Sequence, residues 1–212
     1  MVIVAIVGMD GSGKTTQAKM LVEMLNRADY SALYVRPVYV LSHILTRYGS
    51  KKVNSISPRT ISTSSVKDSC KNKWSISVKK VFMGVSGYPY AMITYFYMKN
   101  NIGRNKILVC DRYFYQFFFD VFGKWTKSII RLFPRPDITF FLDSDLDTFY
   151  SRMVDSNDQS VSRDYYTDVL DLYREVSKRY GFVQIDAKLE KEVINEMIFG
   201  HLTEMLGGRS NE

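Results

Sequence analysis

An apolar run followed at once by a glycine-rich loop constrains the fold of this chain more than any other stretch. Residues 2–7, VIVAIV, are β-branched and small apolar residues, typical of a strand buried on both faces. Residues 8–15, GMDGSGKT, fit the pattern G-x-x-x-x-G-K-[ST] at every position. Beyond the loop, apolar residues recur at helical spacing: Ala18, Leu21, Val22 and Leu25. A strand, a glycine loop and a helix in this order predict a phosphate-binding loop.

The chemistry of a bound nucleoside triphosphate accounts for the residue types in this loop. Glycines let the backbone turn so tightly that successive N–H groups point at phosphate oxygens, and the following helix adds its positive dipole end. Lys14 would bridge the β- and γ-phosphates of ATP, and the Thr15 hydroxyl would hold Mg²⁺. We therefore predict an ATP site made by these residues: Gly8, Gly11, Ser12, Gly13, Lys14, Thr15 and Thr16.

Composition favours one folded intracellular domain over a metal-cluster protein, a triad hydrolase or a membrane protein. The chain has 212 residues, of which 46% are hydrophobic, so it can bury a sizeable core. It has two cysteines, which suggests reduced thiols and a cytoplasmic location. Its histidines, His43 and His201, and its cysteines, Cys70 and Cys110, are far apart in the sequence, and we identify no Cys/His metal cluster and no Ser-His-Asp arrangement. No apolar run approaches the roughly 18 residues of a membrane-spanning helix, so we expect no membrane partner.

Residues 36–80 differ in composition from the rest of the chain. They contain ten lysines and arginines against one acidic residue, Asp68, and they are rich in serine and threonine. Helical periodicity is poor there, which predicts a partly looped, basic insertion at about 38–80. The insertion could cover anionic substrates, contact nucleic acid, or form a solvated basic surface. Trp74 is its only tryptophan and no alternation of basic and aromatic residues follows it, so we do not expect a nucleic-acid partner.

Four further strands alternate with helices after the loop. The predicted strands are 31–35, 107–110, 135–143 and 181–187, and aromatic or apolar periodicity predicts helices at about 84–101 and 114–131 and from 146 onward. A last amphipathic helix is expected to end at Gly207-Gly208. Asp111 directly follows a buried strand, where a nucleotide-hydrolysing enzyme places the acid that organises its metal. Thr15 and Asp111 are therefore the predicted Mg²⁺ ligands.

Three of these segments resemble thymidylate kinases. Residues 8–17, GMDGSGKTTQ, are close to the G-x-D-G-x-G-K-T-T-Q loop of that family, which Asp10 and Gln17 set apart from most phosphate loops. The Asp-Arg-Tyr sequence at 111–113 and PDITFFLD at 136–143 match two further family elements. The resemblance covers nearly the whole chain outside 38–100.

The resemblance implies a three-layer α/β P-loop kinase fold with a five-stranded parallel sheet in the order 2-3-1-4-5, flanked by helices. It implies a single nucleoside monophosphate kinase domain over 1–212, with a lid over ATP at about 152–164. It also implies a homodimer.

The implied activity is ATP- and Mg²⁺-dependent phosphorylation of a nucleoside monophosphate, most simply dTMP to dTDP, in nucleotide biosynthesis. The implied catalytic residues are Lys14, Asp10, Asp111, Arg112, Arg152 and Arg163. The implied substrate-binding residues are Asp10, Arg36, Tyr88, Arg112 and Tyr113.

The chain departs from the family at positions that bear on catalysis and on the acceptor base. Gly11 stands where some thymidylate kinases have an arginine, so we expect a lid arginine to supply that charge. The family usually has an arginine about twenty residues before Asp-Arg, but none occurs between Lys80 and Arg104. Phe119-Asp120-Val121 replaces the usual Ala-Tyr-Gln element, for which Tyr115 or Gln116 could substitute. The missing arginine predicts relaxed acceptor selectivity.

Two other functions remain open at this point. A deoxynucleoside kinase, or a broad-specificity monophosphate kinase, would use the same phosphate loop. A P-loop nucleic-acid-binding protein with vestigial catalysis would use the basic segment instead, and its binding would depend steeply on salt.

Overall fold

Five parallel strands form the centre of the computed structural model, which describes residues 1–40, 86–102, 106–149 and 163–209. The strand order is β2-β3-β1-β4-β5, as the family resemblance implies. The strands are β1 (Val2–Gly8), β2 (Ala32–Val35), β3 (Ile107–Asp111), β4 (Ile138–Asp143) and β5 (Val183–Asp186). The predicted basic insertion lies almost wholly outside the described residues, as does most of the predicted lid.

The most apolar strands occupy the middle of the sheet. β1 pairs with β3 on one side and with β4 on the other, and residues 3–7 are almost completely buried. Ile6 lies opposite Asp111 in the register, so the phosphate loop and Asp111 leave the same edge of the sheet. In open parallel sheets, ligands bind outside this carboxyl edge.

Helices cover both faces of the sheet. The described helical segments are α1 (Lys14–Arg27), α2 (37–40), α3 (86–97, extended by a π-helical turn at Met98–Ile102), α4 (Phe114–Phe122), α5 (Thr126–Ile130), α6 (146–149), α7 (Arg163–Tyr180) and α8 (Lys191–Arg209). None of the described helices is long and apolar enough to cross a membrane.

Two helix boundaries differ from the sequence prediction, and glycine explains both differences. The helix predicted at 114–131 is interrupted at Gly123, whose φ of 56° ends α4 before a 3₁₀ turn and α5. The last helix was expected to end at Gly207-Gly208, but α8 continues through both residues to Arg209. Glycine permits a helix end without requiring one.

A buried hydrogen-bond network joins the first and last helices. Gln17 donates from its side-chain nitrogen to the backbone carbonyl of Lys191, at 2.8 Å. Asn195 donates to the side-chain oxygen of Gln17, at 2.9 Å, and to its backbone carbonyl, at 3.1 Å. Gln17, which helped to mark the family resemblance, therefore anchors α1 against α8 within the described structure.

Candidate functional site

The phosphate loop has the backbone conformation that its glycines predict. Gly8 approaches the neighbouring strand so closely that a Cβ added there would lie 2.7 Å from the carbonyl oxygen of Leu142. Gly13, at the N-cap of α1, has a φ of 87°, in the left-handed region that favours glycine. No side chain caps α1, so its first N–H groups are available to an anion. The Ser12 hydroxyl is buried beside the loop and has no hydrogen-bond partner among the described residues.

Lys14 folds back over the loop instead of extending into solvent. Its side chain is 4% exposed, its ammonium donates to the carbonyl of Met9, and it lies 3.6 Å from Asp10. Burial lowers the pKa of Lys14 to about 8, although the Asp10 carboxylate opposes the shift. A desolvated ammonium attracts a phosphate more strongly than a solvated ammonium does, because less water screens the electrostatic interaction.

Asp111 accepts three hydrogen bonds on one carboxylate oxygen. The donors to Oδ2 are the Thr15 hydroxyl at 2.8 Å, the Tyr34 hydroxyl at 2.6 Å and Nε of Arg36 at 2.8 Å. Arg36 also donates from Nη2 to the Thr15 hydroxyl, at 3.0 Å. Burial disfavours the carboxylate, but the three donors outweigh it and lower the pKa of Asp111. Asp111 is therefore ionised and fixed in orientation at neutral pH.

A second ion pair lies on the other side of the loop. Arg112 donates from Nη2 to Oδ1 of Asp10, at 2.7 Å. Burial disfavours the Asp10 carboxylate, but Lys14 and Arg112 more than offset it and lower the pKa of Asp10. Arg112 has a φ of 68°, a conformation that costs a non-glycine residue about 1–3 kcal/mol and that clusters at functional sites.

The structure thus brings together most of the residues predicted to act on nucleotides. The predicted residues at the carboxyl edge are Gly8, Asp10, Gly11, Ser12, Gly13, Lys14, Thr15, Thr16, Arg36, Asp111 and Arg112. Asp111 and Arg112 are adjacent in sequence, yet the first pairs with Arg36 and the second with Asp10. Two cations therefore flank the mouth of the phosphate loop.

Two predicted substrate-binding residues, Tyr113 and Tyr88, form hydrogen bonds with backbone carbonyls outside the phosphate loop. The Tyr113 side chain is 1% exposed and its hydroxyl donates to the carbonyl of Pro134, at 2.8 Å. Tyr88 donates to the carbonyl of Leu132, at 3.0 Å, and its ring packs on Phe118. Tyr113 is therefore buried beside the start of α4, Tyr88 packs against α4, and their contact with substrate stays a prediction.

The structure describes one of the two arginines that were predicted to act from the lid. Arg152 lies outside the described residues. Arg163 begins α7 and pairs with Asp147 of α6, at 2.5 Å, with 60% of its side chain exposed. An exposed ion pair of this kind contributes little to stability, so Arg163 can leave Asp147 for a phosphate at small cost.

Sequence interpretation missed two tyrosines of the carboxyl edge. Tyr34 holds Asp111, and Tyr165 of α7 donates to Oδ1 of Asp120 of α4, at 2.5 Å. No local pattern in the sequence marks Tyr34 or Tyr165 as the partner of these carboxylates.

The residues present fit a magnesium ion. Oδ1 of Asp111 is buried and has no hydrogen-bond partner among the described residues, and the Thr15 hydroxyl lies against the same carboxylate. Hydroxyl and carboxylate oxygens are the hard ligands that Mg²⁺ prefers. No group of three or more His, Cys, Asp or Glu side chains in the described part of the chain could enclose a metal. This small ligand set suits an ion that takes its remaining ligands from phosphate and water.

Comparison with known families gives this site its context. A family model described as thymidylate kinase matches residues 91–198. The chain belongs to the thymidylate kinase family. Matches to individual relatives are longer than the family-model match. A probable thymidylate kinase of Methanocaldococcus jannaschii is 28% identical over 198 residues, covering 90% of both chains. A thymidylate kinase of Ehrlichia ruminantium is 26% identical over 196 residues, covering 85% of this chain and 87% of its own.

A solved structure supports the fold independently. A deoxyadenosine kinase from M. mycoides, described with dCMP and dCDP bound, superposes with a TM-score of 0.55 at 15% identity. The match covers 96% of this chain and all of that one. Together, the family and the fold identify a phosphotransferase that acts on nucleotides.

Proposed function

We propose that this thymidylate kinase family member transfers the γ-phosphoryl group of ATP to a nucleoside monophosphate, with dTMP as the first candidate acceptor. The observation that carries the proposal is the pair of separate cation–carboxylate clusters, Arg36 with Asp111 and Arg112 with Asp10, beside one phosphate loop. Phosphoryl transfer needs positioned charge and no covalent intermediate on the protein, and this arrangement supplies such charge.

On the donor side, the loop N–H groups and Lys14 would hold the phosphates of ATP. The uncapped N-terminus of α1 and the desolvated ammonium both favour an anion at this point. Thr15 and Asp111 would hold Mg²⁺, which when bound neutralises phosphate charge. Arg36 would leave the Thr15 hydroxyl and turn toward a phosphate oxygen.

On the acceptor side, the Asp10 environment favours a monophosphate over a nucleoside. A nucleoside kinase needs a base that accepts the proton of the 5′-hydroxyl. Lys14 and Arg112 lower the pKa of Asp10 despite its burial, so it is a poor base at neutral pH. A phosphate monoester has its second pKa near 6 and is already ionised, so its transfer requires no such base. Arg112 would bind that phosphate.

We predict that dTMP is accepted with relaxed selectivity. The arginine that usually recognises thymine in the family is absent, and a site without a dedicated polar partner discriminates weakly. Another monophosphate, such as dUMP, should compete within about one to two orders of magnitude, or ~1.4–2.8 kcal/mol. The measurement is kcat/KM with ATP for dTMP, dUMP, dCMP, UMP and dGMP. A preference for dTMP far beyond a thousandfold would contradict the prediction.

We also propose that the protein is a cytoplasmic homodimer. Ile93 and Phe96 on α3 are 57% and 49% exposed, and their spacing of three places them on one side of the helix. A second copy of the chain would cover this apolar surface. Light scattering at micromolar concentration tests the dimer, which should have twice the mass of one chain. A single-chain mass would refute it.

A further inference from the structure

The Tyr34 hydroxyl lies between Asp111 and Arg36 and is hydrogen-bonded to both. It donates to Oδ2 of Asp111, at 2.6 Å, and accepts a hydrogen bond from Nε of Arg36, at 2.7 Å. Nε of Arg36 also donates to the same carboxylate oxygen, at 2.8 Å. Tyr34 and Arg36 therefore share one oxygen of Asp111, and the structure raises the question of what each contributes there.

The sheet fixes Tyr34 more firmly than Arg36. Tyr34 lies within β2 in register with Val109 of β3, and Asp111 follows Val109 by two residues on the same face of the sheet. Two residues of strand span about 7 Å, which is close to the reach of a tyrosine side chain. Arg36 follows the last residue of β2, and its side chain is 42% exposed. An exposed arginine has other rotamers available, whereas a ring on a paired strand keeps its place.

A bound phosphate would also act differently on the two side chains. Arg36 is a cation, and the phosphate oxygens of a nucleotide attract it away from the carboxylate. The Tyr34 hydroxyl is neutral near pH 7, so a phosphate does not attract it in this way. When Arg36 turns away, the donors that remain on Oδ2 among the described residues are Tyr34 and Thr15. Thr15 would bind the metal as well, so the orientation of Asp111 then depends mainly on Tyr34.

The orientation of Asp111 matters because its second oxygen faces the proposed metal position. Oδ1 is buried and has no hydrogen-bond partner among the described residues. A carboxylate that is held through Oδ2 presents Oδ1 in a fixed direction, which suits the near-ideal octahedral geometry that Mg²⁺ requires. Hydrogen bonds that orient metal-binding carboxylates typically contribute about 10- to 100-fold to metal affinity.

We propose that Tyr34 is a positioning residue for phosphoryl transfer, whose hydroxyl keeps Asp111 oriented toward the metal while Arg36 leaves that carboxylate for a phosphate. The inference rests on the proposed phosphoryl-transfer function. It divides the cluster into two tasks, because Tyr34 serves metal binding and Arg36 serves phosphate binding. The two side chains share one carboxylate oxygen, yet their removal should weaken the binding of different ligands.

The test measures metal binding directly, without turnover. Mn²⁺, which suits the same oxygen ligands as Mg²⁺, is titrated into the complex of the protein with a non-hydrolysable ATP analogue and followed by electron paramagnetic resonance. Protein is kept in excess, so that all of the nucleotide is bound. Tyr34→Phe removes the hydroxyl and keeps the ring. We expect this variant to raise the Mn²⁺ dissociation constant about 10- to 100-fold.

Binding of the ATP analogue without metal separates this effect from damage to the site. The loop N–H groups and Lys14 hold the phosphates independently of Tyr34, so Tyr34→Phe should change this affinity by less than about threefold. Tyr30→Phe is the matched control, because it makes the same chemical change at an exposed tyrosine four residues earlier. It should leave both affinities unchanged.

Arg36→Met separates the role of Tyr34 from that of Arg36. The variant removes the guanidinium and keeps a long side chain. It should bind Mn²⁺ at least as tightly as wild type, because Tyr34 still holds Asp111 and one neighbouring positive charge is gone. Its loss should appear in turnover instead, because a phosphate loses its arginine.

Steady-state kinetics provide a second readout of the same division. In Tyr34→Phe, the Mg²⁺ concentration that gives half of the maximal rate should rise about 10- to 100-fold. The KM for dTMP at saturating Mg²⁺ should stay within about threefold of the wild-type value. A general loss of structure would not raise the Mg²⁺ requirement alone.

Three results overturn the inference. The first is a Mn²⁺ dissociation constant of Tyr34→Phe within about threefold of wild type. The second is an equal loss of metal-free nucleotide binding in that variant, and the third is Mn²⁺ binding that weakens as much in Arg36→Met. Circular dichroism checks the fold of each variant, and Arg36→Met decides the matter if Tyr34→Phe does not fold.

The same experiments distinguish this inference from the proposed function. A wild-type protein that binds Mn²⁺ and nucleotide but transfers phosphate to no monophosphate overturns the proposed function. An active wild type whose Mn²⁺ affinity is unchanged by Tyr34→Phe overturns this inference alone.

Discussion

Lys14→Ala is expected to abolish phosphoryl transfer while leaving the protein folded. Lys14 is the desolvated cation of the phosphate loop, and its ammonium would neutralise charge on the transferred group. A loss of at least about three orders of magnitude in kcat, ~4 kcal/mol, is expected. Folding should survive because Asp10 keeps its ion pair with Arg112. ADP release and circular dichroism measure the two properties on the same preparation.

The matched control for this variant is Lys19→Ala. Lys19 is an exposed lysine of the same helix, five residues further on. Lys19→Ala removes one positive charge, as Lys14→Ala does. The comparison therefore corrects for the effect of net charge on ATP binding. Turnover by Lys14→Ala within a few-fold of wild type would refute the phosphoryl-transfer assignment.

Replacing both Arg152 and Arg163, the arginines of the predicted lid, by alanine should lower kcat by about 10³–10⁵. Gly11 leaves the phosphate loop without the arginine that some family members have, so transition-state charge must be neutralised from elsewhere. Arg163 is exposed and pairs with Asp147 at the surface, where an ion pair contributes little to stability. Single-turnover kinetics with saturating ATP isolates the chemical step, and the Arg152→Ala and Arg163→Ala single variants show which arginine acts.

Two variants control for charge and for the Asp147 pair. Arg131→Ala removes an exposed arginine of the helical layer and should leave kcat unchanged. Asp147→Asn removes the surface ion pair of Arg163 and should not reduce kcat, because an exposed pair of this kind contributes little to stability. An unchanged kcat in the double arginine variant would exclude a catalytic lid, and Arg36 would then be the next cation to test.

The fold and the phosphate site were predictable because local patterns determine them. The apolar strand, the glycine spacing and the amphipathic stripe of α1 are all contained in residues 2–25. Parallel strands bring their carboxyl ends to one edge, so a strand-end Asp111 had to lie near Thr15. The order of the strands came from family resemblance, since several orders satisfy the same alternation of helices and strands.

The contacts that sequence reasoning missed join residues far apart in the chain. Tyr34 meets Asp111 across 77 positions, and Tyr165 meets Asp120 across 45. No periodicity encodes such pairs. For Tyr113, the place beside Asp-Arg suggested substrate binding, and the structure shows a buried side chain that donates to the carbonyl of Pro134. A motif fixes the backbone position of a residue more firmly than the direction of its side chain.

The most direct test of the central claim follows the γ-phosphoryl group of ATP to its product. The purified protein is incubated with Mg²⁺, γ-labelled ATP and either a nucleoside monophosphate or the matching nucleoside, and the products are separated and identified. We predict that label appears as the terminal phosphate of a nucleoside diphosphate, with dTDP formed from dTMP, and that nucleosides remain unlabelled. Label in a monophosphate formed from a nucleoside, or only in inorganic phosphate, would contradict the account.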